Sequence, residues 1–366
     1  MKPAIAIITY VRDRYFELTL TSLVNQRVEG KSVGDYFDLF VFQDGLADGA
    51  SEADRRAHCE ISNIVDRASC LITFVPQTKN LGIALHFDFI ERFLFLERGY
   101  SFAGFFEDDL VLSPGHLKAF KLLQEKFHDD PRVGMVSAAP ATYKKPLKDQ
   151  LSNLYAYEHM GHSWAFGLSR EFWLRRQPFV DEYLKFVKDI PYAKRPHQAI
   201  YDWLKGRGMQ PKASSQDYIK QCATAALGGV RIATCPNYGF YIGRVGEHCT
   251  PEFYEQSKFQ ESVVCDRELD RVDDLTEARY AELYREQYVT FALDKLSPEV
   301  IADDVKAAYR IFFGRDAECA AVVDEKLKRS RRQLLKDFLL SDEFLGSPAS
   351  RQLISDAYEK ISKDIA

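Results

Sequence analysis

Short apolar segments alternate with longer segments of helical periodicity through the first half of the chain. The apolar segments predict five strands, at Ala4–Thr9, Leu39–Gln43, Leu71–Pro76, Ser101–Phe106 and Val133–Ala138. The segments between them predict four helices, at Tyr15–Gln26, Ala53–Ser62, Gly82–Glu97 and Pro114–Phe127. This alternation is typical of an α/β protein in which helices cover both faces of a mostly parallel sheet.

The pattern changes twice in the second half. Residues 141–192 are aromatic and basic loop sequence, which we expect to face a substrate, and residues 217–243 return to a helix and a strand. At Ser297-Pro298 a capping residue followed by proline predicts the start of a second unit. Its amphipathic helices are predicted at Glu299–Phe313, Glu318–Lys328, Arg331–Leu340 and Ala349–Ser362. The predicted domains are therefore residues 1–288, with the sheet, and residues 297–366, a small all-α domain.

Composition describes an ordinary folded protein. The chain has 366 residues, of which 46% are apolar, and a net charge of -5 with a pI near 6.0. This charge argues against nucleic acid as a partner, because phosphate backbones require a dense positive field. Seven widely spaced cysteines indicate reduced thiols, and no apolar run reaches the length of a membrane span. From these features we expect a cytoplasmic protein.

Three carboxylates follow the fourth predicted strand directly: Glu107, Asp108 and Asp109, called the acidic triplet below. Crowded like charges raise one another's pKa, and a hard divalent cation bound through oxygen relieves them. The triplet precedes Ser113-Pro114, which we expect to cap the next helix, so it lies at the carboxyl end of a strand, where α/β sheets bind ligands. Taken alone, the triplet has an equally good interpretation as a solvated turn.

Three further segments precede the triplet: Thr9-Tyr10-Val11-Arg12, Gln43-Asp44-Gly45 and Asn80-Leu81-Gly82. In this order, the segments resemble the GT-A class of nucleotide-sugar glycosyltransferases, which have a Rossmann-like sheet. The Glu-Asp-Asp-Leu form, followed by Ser-Pro and a helix, is most similar to N-acetylglucosaminyltransferase I and related bacterial sugar transferases.

The resemblance implies a role for each segment. It makes Asp109 a ligand of Mn²⁺ or Mg²⁺ and places Glu107 and Asp108 near the ribose and the metal-bound waters. It also implies contacts with the donor nucleotide from Thr9, Tyr10, Arg12, Asp44 and Asn80. Each feature alone has a simpler interpretation, since Asp-Gly is a common turn and Asn80 can start a helix.

The segment Gly161 to Trp173 resembles the Trp-Gly-Trp-(Ala/Gly)-Thr-Trp segment of bacterial sugar transferases, which lines the donor sugar and acceptor pocket. The resemblance makes Trp164 a donor contact, although His162 and Phe166 replace two of the tryptophans. A tryptophan at this spacing is equally consistent with ordinary core.

The resemblance also implies a catalytic base and a second metal ligand. Asp217 begins a helical stretch like the one that holds the catalytic aspartate of the class, with a helix cap as the alternative interpretation and Asp202 as a reserve base. The segment Tyr241 to Thr250 resembles the closing motif of these enzymes, which makes His248 a metal ligand and Arg244 a neutraliser of diphosphate charge.

Residues 309–344 resemble a small bacterial helical domain of unknown function that often accompanies glycosyltransferases. A basic run at residues 326–332 lies within it. We interpret this run as a solvated helix junction, with peripheral contact to anionic lipid or a polyprenyl-diphosphate acceptor at the inner membrane face as the alternative.

Together these features predict a metal-dependent, inverting glycosyltransferase that moves a hexosyl or N-acetylhexosaminyl group. The predicted donor is a nucleotide-sugar, with UDP favoured, and the predicted acceptor is a saccharide or glycolipid of bacterial surface polysaccharide synthesis. Two alternatives stay open: a non-catalytic nucleotide- or carbohydrate-binding assembly protein, and a sugar nucleotidyltransferase. The second would need a glycine-rich phosphate loop after the first strand, and residues 9–15 lack glycine.

Overall fold

The computed structural model describes residues 2–191, 194–246, 249–291, 300–327, 329, 331–339 and 341–347. The chain divides into two compact units, Met1–Ala292 and Leu293–Ala366. No helix in the described ranges is both long and apolar enough to cross a bilayer.

An eight-stranded sheet forms the centre of the first unit, in the order β5-β4-β1-β6-β10-β8-β11-β9. Strands β5, β4, β1 and β6 are parallel neighbours, β11 is parallel to β8, and β9 and β10 run antiparallel to their neighbours. The strands are β1 (Ala4–Thr9), β4 (Asp38–Gln43), β5 (Ile72–Pro76), β6 (Phe102–Glu107), β8 (Val133–Ser137), β9 (Tyr157–His159), β10 (Ala165–Ser169) and β11 (Val230–Thr234).

Both faces of this sheet are covered, which explains the continuous apolar runs of the sequence. Along β1, Ile5 and Ile7 pack into one apolar cluster, and Ala4, Ala6 and Ile8 pack into another on the opposite face. The helices of this unit are α1 (Asp13–Val24), α2 (Val33–Tyr36), α3 (Glu52–Asp66), α4 (Gly82–Arg92), α5 (His116–Phe127), α6 (Leu147–Ser152), α7 (Arg170–Val187), α8 (His197–Gly206), α9 (Gln216–Ala226), α10 (Pro251–Ser257) and α11 (Glu277–Phe291).

Two small sheets complete the first unit. Strands β2 (Arg27–Val28) and β3 (Lys31–Ser32) form a hairpin. Strand β7 (Leu110–Leu112) pairs antiparallel with β12 (Gly239–Tyr241), with Leu110 opposite Tyr241. The second pairing holds the end of the acidic triplet beside the segment that follows β12.

The predicted fold class is confirmed for the sheet and its helices, and one local prediction is wrong. The expected Ser113 cap does not form: α5 begins at His116, and the Ser113 hydroxyl is buried without a hydrogen-bond partner among the described residues. The helix predicted at Gly82–Glu97 is observed with these bounds, although its last turn, Phe93–Glu97, is π-helical.

The described residues of the second unit are helical: α12 (Ala302–Phe313), α13 (Ala320–Lys326), α14 (Arg331–Leu339) and α15 (Asp342–Leu345). Tyr309, Val323, Leu334 and Phe338 are buried in its own apolar core. Gly314 ends α12 in the left-handed conformation, as its sequence position predicts. The expected helix start at Ser297-Pro298 and the helix predicted at Ala349–Ser362 lie outside the described residues.

Candidate active site

The ends of three parallel strands bring the predicted site residues together. Strand β1 lies between β4 and β6, with Thr9 opposite Gln43 and Ile8 opposite Glu107. Because parallel strands end at the same edge of a sheet, the segments after β1 and β4 meet the acidic triplet there.

Two side chains from the end of β1 hold the triplet. The Thr9 hydroxyl donates to Asp108 Oδ2 at 2.7 Å. The Arg12 guanidinium donates from Nη1 to Asp109 Oδ2 at 2.6 Å and from Nη2 to Asp108 Oδ1. Asp108 and Asp109 are almost fully buried, whereas Arg12 keeps 30% of its side-chain exposure. Arg12 is thus a direct counter-ion of both aspartates.

A single guanidinium does not neutralise the site. Burial raises the pKa of Glu107 well above its usual range, and the charges of Asp109 and Asp217 raise it further. Burial likewise raises the pKa of Asp109 to about 6, although Arg12 opposes this rise. Three carboxylates, Glu107, Asp108 and Asp109, therefore share the guanidinium of Arg12, and the acidic triplet retains an excess of negative charge.

The oxygen Oδ1 of Asp109 is buried and has no hydrogen-bond partner among the described residues. A buried carboxylate oxygen without a partner is costly, and it meets the requirement of a hard divalent cation for an oxygen ligand. Within the described ranges, no group of three or more histidine, cysteine, aspartate or glutamate side chains could hold a metal ion. The other predicted ligand, His248, lies outside the described residues.

The segment after β12 packs directly on Asp109. The amide of Ile242 donates to the Asp109 carbonyl at 2.8 Å. A methyl group added at Gly243 would lie 2.3 Å from Asp109 Oδ2 and 2.5 Å from the Tyr241 hydroxyl. Gly243 is therefore required for this close approach, whereas the sequence marked the position only as part of a motif.

Asp217 lies at the start of α9, where Ser215 caps the helix by accepting from the Tyr218 amide. The cap is thus the serine, so the alternative interpretation of Asp217 as the cap does not hold. Gln216 Nε2 donates to Asp217 Oδ1. The negative charge of Asp217 adds to the rise in the pKa of Glu107.

Two other predicted residues lie on the surface. Asp202 is exposed on α8 and contacts Gln198 and Lys205 on the same helix. Arg244 is exposed and forms an ion pair with Glu255. In these positions neither side chain forms a hydrogen bond or ion pair with the triplet.

Asp44 organises the loop beside the site. Its Oδ1 accepts from the amides of Gly45 and Leu81 at 2.9 and 2.8 Å, and its Oδ2 accepts from the Gly82 amide at 2.9 Å. Burial raises the pKa of Asp44, and these backbone hydrogen bonds oppose the rise. Asp44 therefore ties the end of β4 to the start of α4.

The neighbouring polar groups support the same loop. Asn80 Nδ2 donates to the Gly45 carbonyl at 2.8 Å. The Tyr10 hydroxyl accepts from the Ala47 amide at 3.0 Å, so Tyr10 fixes the loop that follows β4.

Trp164 takes part in an aromatic stack next to the triplet. Its ring is nearly parallel to His162 at 3.9 Å and to Tyr241 at 4.4 Å between centroids. Two rings that stack in parallel at these distances cannot share one face of Trp164, so His162 and Tyr241 cover its opposite faces. The Trp164 carbonyl accepts from the Glu107 amide at 2.8 Å. A ligand can therefore meet Trp164 in this arrangement only at its edge.

Sequence reasoning missed a buried charge network behind the site. Glu91 is fully buried and accepts from Trp173 Nε1 at 3.0 Å, Arg176 Nη2 at 2.9 Å and Lys220 Nζ at 2.8 Å. The signal was a charged residue on the apolar face of α4 that carries Phe87 and Ile90. The network connects α4, α7 and α9, and so fixes the helix that carries Asp217.

Sequence reasoning also missed Thr19, which lies on the buried face of α1 beside Phe16, Leu20 and Leu23. Its hydroxyl donates to the Asp108 carbonyl at 2.9 Å. A polar residue within an apolar helical stripe is a signal that could have found it.

No protein-family model matches the sequence, and a search of curated proteins gives no match. Among solved structures, the apo form of the glycosyltransferase GlyE in Streptococcus pneumoniae TIGR4 aligns with a TM-score of 0.30 and 12% identity, over 56% of this chain and 43% of GlyE. Mouse xyloside xylosyltransferase 1 in its apo form aligns with a TM-score of 0.29 and 11% identity, over 50% of this chain and 71% of that protein. The chain thus spans less than half the length of the GlyE structure, and likeness at these scores assigns neither family nor function.

Proposed function

We propose that the first unit is a metal-dependent, inverting glycosyltransferase that moves a hexosyl or N-acetylhexosaminyl group from a nucleotide-sugar to an acceptor hydroxyl. The proposed donor is a UDP-sugar, and the proposed acceptor is a saccharide or glycolipid of bacterial surface polysaccharide synthesis. The observation that carries the proposal is the convergence of Thr9, Arg12 and the acidic triplet at the carboxyl ends of β1 and β6, where Asp109 keeps a buried oxygen without a partner among the described residues.

Transfer with inversion needs a carboxylate that removes the proton of the attacking hydroxyl. Asp217 is the proposed base: the acceptor oxygen attacks the anomeric carbon, the bond to the diphosphate breaks, and the hydroxyl proton moves to the Asp217 carboxylate. Gln216, which donates to Oδ1 of Asp217, keeps the carboxylate oriented.

Asp109 is the proposed protein ligand of Mn²⁺ or Mg²⁺ through its Oδ1, with His248 as the second. When bound, the cation supplies positive charge that stabilises the departing diphosphate. Thr9 and Thr19 hold Asp108 in place, and Gly243 keeps the following loop against Asp109.

The donor contacts expected from the resemblance are retained as proposals. Glu107 and Asp108 would meet the ribose and the metal-bound waters, and Arg244 would meet the diphosphate. Thr9, Tyr10, Asp44 and Asn80 would shape the nucleotide site through the loop contacts described above. Trp164 would offer its ring edge to the sugar.

The first experiment is release of nucleoside diphosphate from a panel of UDP- and GDP-sugars, with and without Mn²⁺, in the presence of saccharide acceptors. Asp217→Asn should abolish release that depends on the acceptor. The matched control is Asp202→Asn, because Asp202 is exposed and lies on a neighbouring helix. Loss of turnover in Asp202→Asn with activity retained in Asp217→Asn would transfer the role of base to Asp202. Nucleotide binding without turnover across the panel would favour an assembly protein.

The proposed glycolipid acceptor would also determine where the enzyme acts. A glycolipid acceptor would bring the enzyme to the inner face of a membrane, and the basic run at residues 326–332 is the proposed contact. Co-sedimentation with vesicles containing 30% or so of an anionic lipid, against neutral vesicles, tests this contact at low and high salt. Equal binding to both vesicle types would show that the basic run does not bind anionic lipid.

A further inference from the structure

Arg12 forms ion pairs with both Asp108 and Asp109, called the acidic pair below. Its Nη1 lies 2.6 Å from Asp109 Oδ2, and its Nη2 donates to Asp108 Oδ1. The other Asp108 oxygen accepts from Thr9 at 2.7 Å. Only Asp109 Oδ1 is left without a partner among the described residues. The guanidinium is therefore the resident positive charge of the pair.

A divalent cation at Asp109 Oδ1 would share one carboxylate with this guanidinium. Two positive charges on neighbouring oxygens of the same group repel each other, and the repulsion is screened only weakly where the carboxylates are buried. While Arg12 keeps its present contacts, it therefore lowers the affinity of Asp109 for a divalent cation.

The arginine is the more exposed partner of the pair. Asp108 and Asp109 keep 1% and 2% of their side-chain exposure, whereas Arg12 keeps 30%. Arg12 lies in the link between β1 and α1, directly before Asp13, the first residue of α1. A methyl group added at Gly246 would lie 3.2 Å from Arg12 Nη1, so the loop after β12 closes over one side of the guanidinium.

We infer that Arg12 makes binding of the divalent cation conditional on a diphosphate. A diphosphate offers the planar guanidinium two oxygens in the geometry that arginine prefers. When Arg12 turns to the diphosphate, both oxygens of Asp109 become available to the cation. Diphosphate and cation then bind cooperatively, and by linkage each tightens the other by the same factor. The inference rests on the proposed function for the role of Asp109 and the diphosphate donor.

The test is a titration of the purified full-length protein with Mn²⁺, read by the electron paramagnetic resonance of free Mn²⁺. The proteins are wild type, Arg12→Met and the matched control Arg67→Met. Arg67 also faces two carboxylates, Glu60 at 2.9 Å and Glu17 at 3.9 Å, but on the exposed surface. Without nucleotide, Arg12→Met should bind Mn²⁺ roughly tenfold more tightly than wild type, within the usual range of coupling between sites. Arg67→Met should match wild type.

A second arm adds UDP at saturation. The diphosphate offers its own oxygens to the cation, so UDP should tighten Mn²⁺ binding by both proteins, but by about tenfold more in wild type than in Arg12→Met. The Mn²⁺ that UDP binds without protein is measured separately and subtracted. Adding Asp109→Asn to Arg12→Met should remove the gained affinity, which assigns it to this carboxylate. If Arg12→Met does not melt cooperatively, Arg12→Gln replaces it, because glutamine has no charge yet can still donate to Asp108.

Equal Mn²⁺ affinity of wild type and the Arg12 variant without nucleotide overturns the inference. An equal tightening of Mn²⁺ binding by UDP in the two proteins also overturns it. These outcomes are separate from failure of the proposed function. A wild type that turns over a nucleotide-sugar while its Arg12 variant shows no gain in Mn²⁺ affinity keeps the function and loses the inference. A gain in Mn²⁺ affinity in the Arg12 variant, with no turnover of any donor by wild type, supports the inference about Arg12 and contradicts the proposed enzymatic activity.

Discussion

The Thr9 hydroxyl donates to Asp108 Oδ2 at 2.7 Å, which joins the end of the first strand to the middle of the acidic triplet 99 residues later. Both side chains are buried. This hydrogen bond orients Asp108 so that its other oxygen faces Arg12.

Replacing Thr9 with valine tests this contact, because valine keeps the shape and removes the hydroxyl. Asp108 would then lack a buried donor, which should lower the free energy of unfolding by about 1–3 kcal/mol. Urea denaturation measures the change. Thr9→Ser keeps the hydroxyl and should lose much less; an equal loss in both variants would point to packing rather than the hydrogen bond.

Gly243→Ala places a methyl group 2.3 Å from Asp109 Oδ2, so the carboxylate or the loop must move. A misplacement of about 1 Å in a reacting or positioning group can reduce the rate about 100-fold. We expect a loss of that order in kcat/KM with the donor identified by the panel. Gly206→Ala is the control, because nothing lies within 4 Å of its added methyl group. Unchanged kcat/KM in Gly243→Ala would show that the position of Asp109 does not matter.

Gly45→Ala tests the loop that Asp44 organises. The added methyl group would lie 2.3 Å from the carbonyl carbon of Lys79, which is backbone and cannot rotate away. We expect the free energy of unfolding to decrease by about 1–3 kcal/mol. Gly34→Ala, with open space at the same position, should change it by less than about 0.5 kcal/mol. Similar melting curves for the two variants would argue against a tight approach at Gly45.

Glu91→Gln removes the carboxylate that neutralises two buried cations, Arg176 and Lys220. Leaving buried charges without their partner costs about 3–5 kcal/mol. Chemical denaturation should show a loss of this size, and Glu60→Gln on the exposed face of α3 should show almost none. A loss below about 1 kcal/mol would mean that the network contributes little to holding α9.

Stability should rise with pH between about 4 and 6.5 in part because of His116. Burial lowers the pKa of His116 to about 4, while its Nδ1 donates to the Tyr238 carbonyl at 2.9 Å. In this window the unfolded chain binds a proton that the folded protein excludes. The stabilisation is therefore complete above pH 6.5 and is lost as the pH falls toward 4, with a slope of up to about 1.4 kcal/mol per pH unit.

His116→Asn keeps a donor for the Tyr238 carbonyl and does not titrate, so it isolates this contribution. Between pH 5 and 6 the wild type should lose more stability on acidification than the variant, by up to about 1.4 kcal/mol per pH unit. Parallel stability curves for the two proteins would show that His116 does not carry the pH dependence.

Much of the fold could be predicted because buried parallel strands have a plain signature. The first strand was predicted with its observed bounds, Ala4–Thr9, since both faces are covered and every residue is apolar or small. Strand β10 was not predicted as part of the sheet, and its antiparallel insertion between β6 and β8 depends on contacts distant in sequence. Ser113 does not cap α5, because the two residues that follow it form a turn before the helix begins.

The site was predictable where it depends on strand order and unpredictable where it depends on side-chain partners. Thr9, Arg12 and the acidic triplet were expected at one edge of the sheet, and hydrogen bonds join them there. The sequence did not indicate that Arg12 would pair with two aspartates nearly 100 residues away, or that Trp164 would be covered on both faces. Such contacts arise where segments distant in sequence meet, as at the pairing of β1 with β6 and of β7 with β12, and they leave no periodic pattern.

Asp109 is proposed to hold a cation on the diphosphate of a nucleotide donor, with Asp217 as the base. A crystal of the full chain soaked with UDP and Mn²⁺, with anomalous scattering collected to locate manganese, tests it most directly. We expect manganese bonded to Asp109 Oδ1 and to oxygens of the diphosphate, with Arg12 turned from Asp109 toward the diphosphate. Manganese and UDP bound away from Asp109 would contradict this proposal. UDP bound at the carboxyl edge of the sheet with no manganese on Asp109 would also contradict it.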